Sequence, residues 1–466
     1  MRGRMWSKPR VVAAASALIG WIVASGGPAA AAPAPAPGPP SGSASPSAAG
    51  SAHRLAAGDW PTYHRSNARD GNATDLAPLS QLSVTWHTPL DGAVYGQPLV
   101  VGNRIFAATE NDTVYALDPD TGTTLWSAHV GDPEPLSDLP CGDIDPLGIT
   151  GTMVYDPDTN RVFALAETTG GAHTLVGLNA DTGAVEVRAA AEPPRGDPIA
   201  HQQRGALTLL NGRVYIPYGG MFGDCANYIG SVVSLTTDGT GKLGYAVPTT
   251  REAGIWATGG GVVDGNNVLY AVGNGESTTA YDGSDSVIAL SPDLERVDFF
   301  APSTWAVDNA DDLDLGSMNP TLVGGYVFAN GKRGVGYTLR PDALGGIGGE
   351  VAQADVCPSF GGSAVDGSTV YLPCTTGPDA VSIGADGTPR VLWHSTVPAE
   401  GSPAVGGGAV WTIDYFAGWL YALDPATGAT LTRVRIGAAP NFASPTLSGS
   451  HAYVGVRDGV VAVGGA

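Results

Sequence analysis

The chain has 466 residues, with 44 acidic against 23 basic side chains and a net charge of −21. Such an excess repels phosphate backbones and argues against a nucleic-acid partner. Charged residues make up only 14% while glycines number 67, which excludes a charged disordered chain and points to turn-rich β structure.

The first segment reads as an export signal over residues 1–32. Arg2, Arg4, Lys8 and Arg10 form a basic start, Val11 to Ala24 an apolar run too short for a membrane span, and Ala29 to Ala32 a small-residue cleavage site. No Cys follows the apolar run, so a lipoprotein is not expected. Residues 33–57, rich in Pro, Ala and Ser at their start, read as a linker. Residues 58–466 show no second linker, which favours one large domain.

Within that domain, Pro98–Val101, Arg104–Ala108, Thr113–Leu117 and Thr123–Trp126 are short β-branched and aromatic runs separated by Gly, Asn and Asp turns. The turn Asp118-x-x-Thr121-Gly122 recurs at Asn179-x-x-Thr182-Gly183 and Asp424-x-x-Thr427-Gly428. Opening segments recur near Gly96, Gly151, Gly205, Gly259, Ser317, Gly361, Gly401 and Ala443. Eight copies at a spacing of roughly 40–60 residues predict an all-β, eight-bladed propeller of four-stranded antiparallel sheets. The last copy has no closing strand, whereas the closing-type strand Leu82–Leu90 precedes every opening strand. That strand is expected to complete the last blade and close the ring.

Four cysteines in an exported chain are expected to pair. Their placement after similar strands of adjacent blades, and around one predicted strand pair, favours Cys141–Cys225 and Cys357–Cys374, with three pairings open in principle. No C-x-x-C or H-x-x-x-H pattern supports zinc.

The segment Ala116-x-Asp118-x-x-Thr121-Gly122-x-x-x-Trp126 resembles the tryptophan-docking repeat of pyrroloquinoline quinone (PQQ) type propellers. Asp59-Trp-Pro-Thr-Tyr-His-Arg-Ser-Asn67 is similar to the opening of quinoprotein dehydrogenases, and the likeness extends to polyvinyl alcohol dehydrogenase-like proteins. The resemblance implies PQQ and calcium as cofactors, oxidation of a small or polymeric alcohol, and a separate electron acceptor, since no C-x-x-C-H haem motif is present. Residue by residue it implies Asp312 as base, Lys332 against the quinone oxygen, Trp256 as floor, and Cys141 beside the cofactor with Gly142 where some relatives have a second Cys. It implies Asn274, Asp224 and Asp314 as metal ligands. Each has a plain structural alternative: an Asn in a turn, a blade-core Trp, a solvated acidic loop or an exposed turn Lys. The repeat also occurs in non-catalytic propellers, so a scaffold binding a protein or glycan at the cell envelope stands as the second functional expectation.

Overall fold

The computed structural model describes residues 53–465. The predicted signal and most of the predicted linker lie outside these residues.

Eight antiparallel sheets follow one another in chain order, each a meander of at least four strands. We number them as blades 1 to 8. Blade 1 consists of Leu99–Val101, Arg104–Ala108, Thr113–Leu117 and Thr124–His129, close to the strands its turns predict. The first strands of the later blades begin at Val154, Thr208, Val262, Thr321, Ala364, Ala404 and Thr446, each three or four residues past the expected start. Ser83–Pro89 pairs antiparallel with Gly459–Gly464 and completes blade 8, so the ring closes as the sequence implies. Three short additions carry no sequence signal: Asn72–Ala73 lies parallel on blade 7, Gly346–Ile347 parallel on blade 4, and His201–Gln202 extends blade 3.

Apolar clusters fill the spaces between blades, and a recurring lock joins some neighbours. Trp126, in the outer strand of blade 1, donates its indole N–H to Ala180 O at the outer turn of blade 2 at 3.1 Å. Trp86 and Trp393 do the same to Pro119 O and Pro425 O of the following blades. In each case the ring lies on the turn glycine: an added Cβ would come within 2.6 Å of Trp86 at Gly122, 2.6 Å of Trp126 at Gly183 and 2.5 Å of Trp393 at Gly428. Those glycines also hold φ of +70° to +73°. The repeat glycine therefore satisfies a left-handed turn and leaves room for the preceding blade's indole.

Residues 59–73, which include the Asp59–Asn67 motif, pack against the first strands of several blades. Arg69 is fully buried and donates to Leu207 O, Gly261 O and Tyr63 O, tying blades 3 and 4 to the segment. His64, also fully buried, reaches Ser363 O at 3.0 Å and Ser444 Oγ at 2.9 Å, spanning blades 6 and 8. The carbonyl can only accept, so Nδ1 carries the proton and Nε2 accepts from the Ser444 hydroxyl. Both cystines form as expected, Cys141–Cys225 with Cα atoms 6.1 Å apart and Cys357–Cys374 at 5.6 Å.

Two predictions follow from this packing. Gly183→Ala should cost about 2–4 kcal/mol in urea unfolding, through the turn conformation and the lost indole seat. Gly102→Ala, at φ +58° with open space around it, should cost only about 1–2 kcal/mol. Burial holds the His64 pKa down to about 3, so its contribution is present above the unfolded value near 6.5 and is lost as pH falls toward 3. Below pH 6.5, His64→Phe should lose stability less steeply than the parent, by up to about 1.4 kcal/mol per pH unit, in parallel denaturant titrations.

Candidate functional site

In a four-stranded meander the loop between strands 2 and 3 and the connection from strand 4 to the next blade emerge on the same face. Every residue singled out from the sequence lies in such a segment. Asp224 belongs to the strand 2–3 loop of blade 3, Asn274 to that of blade 4 and Lys332 to that of blade 5. Cys141, Trp256, Asp312 and Asp314 belong to connections between blades.

The register is shared as well as the face. The sixth residue past the start of each second strand is Glu110, Glu167, Gly219, Gly273, Lys332, Thr375, Tyr415 and Arg457 in blade order. The two glycines of this ring receive Trp256. A Cβ on Gly219 would lie 2.7 Å from Trp256 Cβ, and one on Gly273 would lie 3.3 Å from its Nε1. The indole then faces Phe360 and Phe442, with ring centroids 6.3 Å away in both cases. Those two phenylalanines stack on each other at 5.8 Å.

Beside Trp256 the charged residues converge. The helix Trp305–Asp311 ends at Asp312 in a left-handed conformation, φ 57° and ψ 46°. That reversal sends Asp312 outward and Asp314 inward. Asp314 is 3% exposed; one carboxylate oxygen accepts the Asn274 backbone N–H at 2.6 Å and the other meets Lys332 Nζ at 2.5 Å. Lys332 also reaches Asp312 Oδ1 at 2.9 Å, and the Asp312 side chain is 56% exposed. Burial acts to lower the Lys332 pKa, but Asp314 and Asp312 outweigh it and hold the ammonium above its ordinary range. Burial raises Asp314, and Lys332 pulls it partly back.

Asp224 stands on the neighbouring loop. It accepts the Tyr228 hydroxyl at 2.6 Å and is followed by Cys225 of the first cystine. Burial, with the Asp224, Glu252 and Asp314 charges behind it, raises the Tyr228 pKa well above its ordinary value. Cys141 itself packs with Ile144, Leu147 and Met221. Lys332, Asp312, Asp314 and Asn274 therefore form one contact group with Trp256 against it. Cys141 is joined by the cystine to Cys225, next in sequence to Asp224.

Three participants lack a sequence signal when read singly. Glu252 is 2% exposed, pairs with Arg251 at 2.9 Å and donates its N–H to Tyr228 O. Asp285 receives the Leu315 N–H at 2.9 Å and keeps its other oxygen buried without a hydrogen bond. Arg204 lies across the Tyr95 and Phe442 faces, 5.4 and 5.2 Å from their centroids, beside an axial space of about 10 Å³ that also touches Thr150 and Thr258. Superposing the blades by register would have found the ring positions; Arg204 and Glu252 sit in connections of irregular length. Asp224, Ala226, Glu252, Ala253, Asp285 and Asp312 all have positive φ without being glycine. Left-handed backbone at so many non-glycine residues costs of order 1–3 kcal/mol each and is typical of functional sites.

A protein-family profile described as "Outer membrane protein assembly factor BamB" matches residues 79–217. The chain is 25% identical to a polyvinylalcohol dehydrogenase of Sphingopyxis sp. over 83% of its own length and 67% of that protein's. These matches support a resemblance to PQQ-type, quinoprotein alcohol dehydrogenase-like repeat proteins. It is also 24% identical to the dehydrogenase subunit of a quinone-type alcohol dehydrogenase of Gluconobacter oxydans, over 51% of this chain and 37% of that subunit. In fold it is similar to the quinohemoprotein alcohol dehydrogenase of Comamonas testosteroni, with a TM-score of 0.66 and 16% identity over 87% of this chain and 80% of that one.

Donor chemistry shows what this site could hold. Asp224 and the side-chain carbonyl of Asn274 offer oxygen donors suited to a hard cation, whereas both oxygens of Asp314 are already engaged by Asn274 N–H and Lys332. Among the described residues, the one group of three acidic, imidazole or sulfur ligand atoms within a single ion's reach is Cys357, Cys374 and Asp379. Its sulfurs are spent in a disulfide. A flat aromatic floor and an ammonium beside it suit a planar anionic ligand.

The close approach at Gly273 yields a prediction. Gly273→Ala puts a methyl 2.4 Å from the Asp314 carboxylate. It should lower stability by about 1–3 kcal/mol in denaturant titration, whereas Gly265→Ala on the opposite loop of the same blade, with open space around it, should lose only the φ contribution of about 1–2 kcal/mol.

Proposed function

We propose that the chain is a PQQ-dependent dehydrogenase that oxidises an alcohol, small or polymeric, outside the cytoplasm and passes electrons to a separate acceptor. The observation that supports this most is Lys332 held between Asp312 and Asp314, with Asp314 also fixing the Asn274 backbone and Trp256 lying against Gly273. In this reading Asp312, the exposed member, receives the alcohol proton. Lys332 presents a permanent positive charge toward a developing oxyanion. Asp314 has both oxygens engaged by this chain and orients Lys332 and Asn274. The Asn274 side chain and Asp224 would be the residues to hold a divalent ion, and Trp256 would be the aromatic surface against the cofactor. Bound PQQ supplies the two-electron acceptor that these side chains cannot. Export through the 1–32 signal is part of the same proposal, and no helix among the described residues is long and apolar enough to cross a membrane.

A second reading, a non-catalytic propeller that binds a protein or glycan at the cell envelope, draws support from the same face. Phe222 and Phe416, in the strand 2–3 loops of blades 3 and 7, are 72% and 76% exposed. Calorimetric titration of PQQ into the full-length chain with calcium present separates the two. Saturable binding that weakens at least tenfold in both Asn274→Ala and Lys332→Ala, with turnover of an alcohol and a dye acceptor, is expected. Absence of binding at concentrations far above those of known tight cofactors would leave the envelope-binding reading.

A further inference from the structure

Across the axis from Lys332, blades 1 and 2 bury a second set of charges that the proposed dehydrogenase site leaves unused. Glu110 and Glu167 occupy the acidic positions of the register ring, and Asp112 lies two residues past Glu110. Their exposures are 2%, 4% and 0%. Glu110 Oε2 accepts the Gly148 N–H at 2.8 Å and the Thr150 hydroxyl at 3.1 Å. Glu110 Oε1 and both oxygens of Asp112 are buried without a hydrogen-bond partner. Gly148 brings the two together: its N–H binds Glu110, and a Cβ there would lie 3.0 Å from Asp112 Oδ1. Asp112 Oδ2 faces Gly131, where an added Cβ would stand 3.4 Å away and 2.4 Å from Thr168 Cγ2, next in sequence to Glu167.

The neighbouring charges do not neutralise this cluster. Arg188 and Arg204 act on Asp112 and Glu110, but each makes its hydrogen bond to a main-chain carbonyl, Val130 O and Asn441 O. His173 lies 3.7 Å from Glu167 and pairs at 2.9 Å with Glu192 instead. Asp132 and Glu192 add further negative charge. Protonation would relieve the repulsion, and a bound cation would do so while also engaging the two unpartnered oxygens of Asp112.

From Asp112, whose two carboxylate oxygens are buried and unpartnered, and Glu110 on the shared Gly148, we propose a divalent-cation site between blades 1 and 2, with calcium as its ion. All-oxygen donors and an irregular loop setting suit calcium over softer or more geometrically demanding metals. The three carboxylates do not all lie within one ion's reach; in this proposal Asp112 and Glu110, which meet at Gly148, are the protein ligands, Glu167 adds charge, and water fills the remaining positions. The site is separate from Asn274 and Lys332 of blades 4 and 5. Its consequence is mechanical. The Val130 N–H binds Asp112 O at 2.8 Å and the Gly148 N–H binds Glu110, so the same turn pins both ends of the connection that carries Cys141. That connection is cross-linked to the Asp224 loop, and an ion here would set the rigidity of the mouth.

Thermal unfolding of the full-length chain, without PQQ, is measured in chelator and in millimolar calcium chloride, together with equilibrium dialysis to count bound calcium. Calcium should raise the midpoint by several degrees in the parent and in Asn274→Ala, and the rise and one bound ion should vanish in Asp112→Asn. If Asp112→Asn does not fold, Glu110→Gln is read in its place and should bind calcium at least tenfold more weakly. No shift in the parent, an undiminished shift in the Asp112 or Glu110 variant, or a shift lost in Asn274→Ala would overturn the proposal.

Discussion

Strand reversal inside each blade, repeated until the ring closes, is the constraint on which the rest of this molecule depends. Because consecutive strands run antiparallel, each blade sends two of its four connecting segments to one face and two to the other. The face that receives the strand 2–3 loops and the inter-blade connections collects residues as distant in sequence as Glu110, Trp256 and Lys332. The opposite face keeps the tight turns, where Gly122, Gly183 and Gly428 seat the preceding blade's indole. One face is thereby committed to packing and the other is free to vary in length and chemistry.

Electrostatics divide that variable face. Blades 1 and 2 bring buried carboxylates to the axis, whereas blade 5 brings Lys332 and the connection into blade 3 brings Arg204. Lys332 is held by Asp312 and Asp314, so its charge is fixed in place. Burial pushes Glu110 up to about 7 and, with the Glu110 and Asp132 charges, Asp112 up to about 9. Neither group is comfortable as an uncompensated anion. A redox cofactor on one side and a structural ion on the other would answer two different imbalances in one ring.

The aromatic residues connect the two sides. Trp256 sits in the gap left by Gly219 and Gly273, and Phe360 and Phe442 extend its surface toward Arg204. A larger residue at either glycine would push the indole outward and separate it from Asp314. The inner ring is therefore as constrained as the outer turns, although by close approach rather than by a left-handed backbone.

Much of this was legible before any coordinates. The spacing of the opening segments implied eight blades, and a closing-type strand ahead of every opening strand implied how the ring is completed, because an unpaired edge must find a partner. Asn274, Asp312, Asp314, Lys332 and Trp256 were visible as motif positions implied by the resemblance, and their phase within the blades allowed them to converge on one face. Their contacts were not. That Asp314 turns inward and Asp312 outward depends on a helix ending in a left-handed residue, and that Asp112 is buried without a partner depends on the depth of the blade 1–2 boundary. Local sequence encodes periodicity, turn chemistry and strand phase; burial, charge pairing and the meeting of loops hundreds of residues apart are properties of the closed ring, and only its tertiary packing decides them.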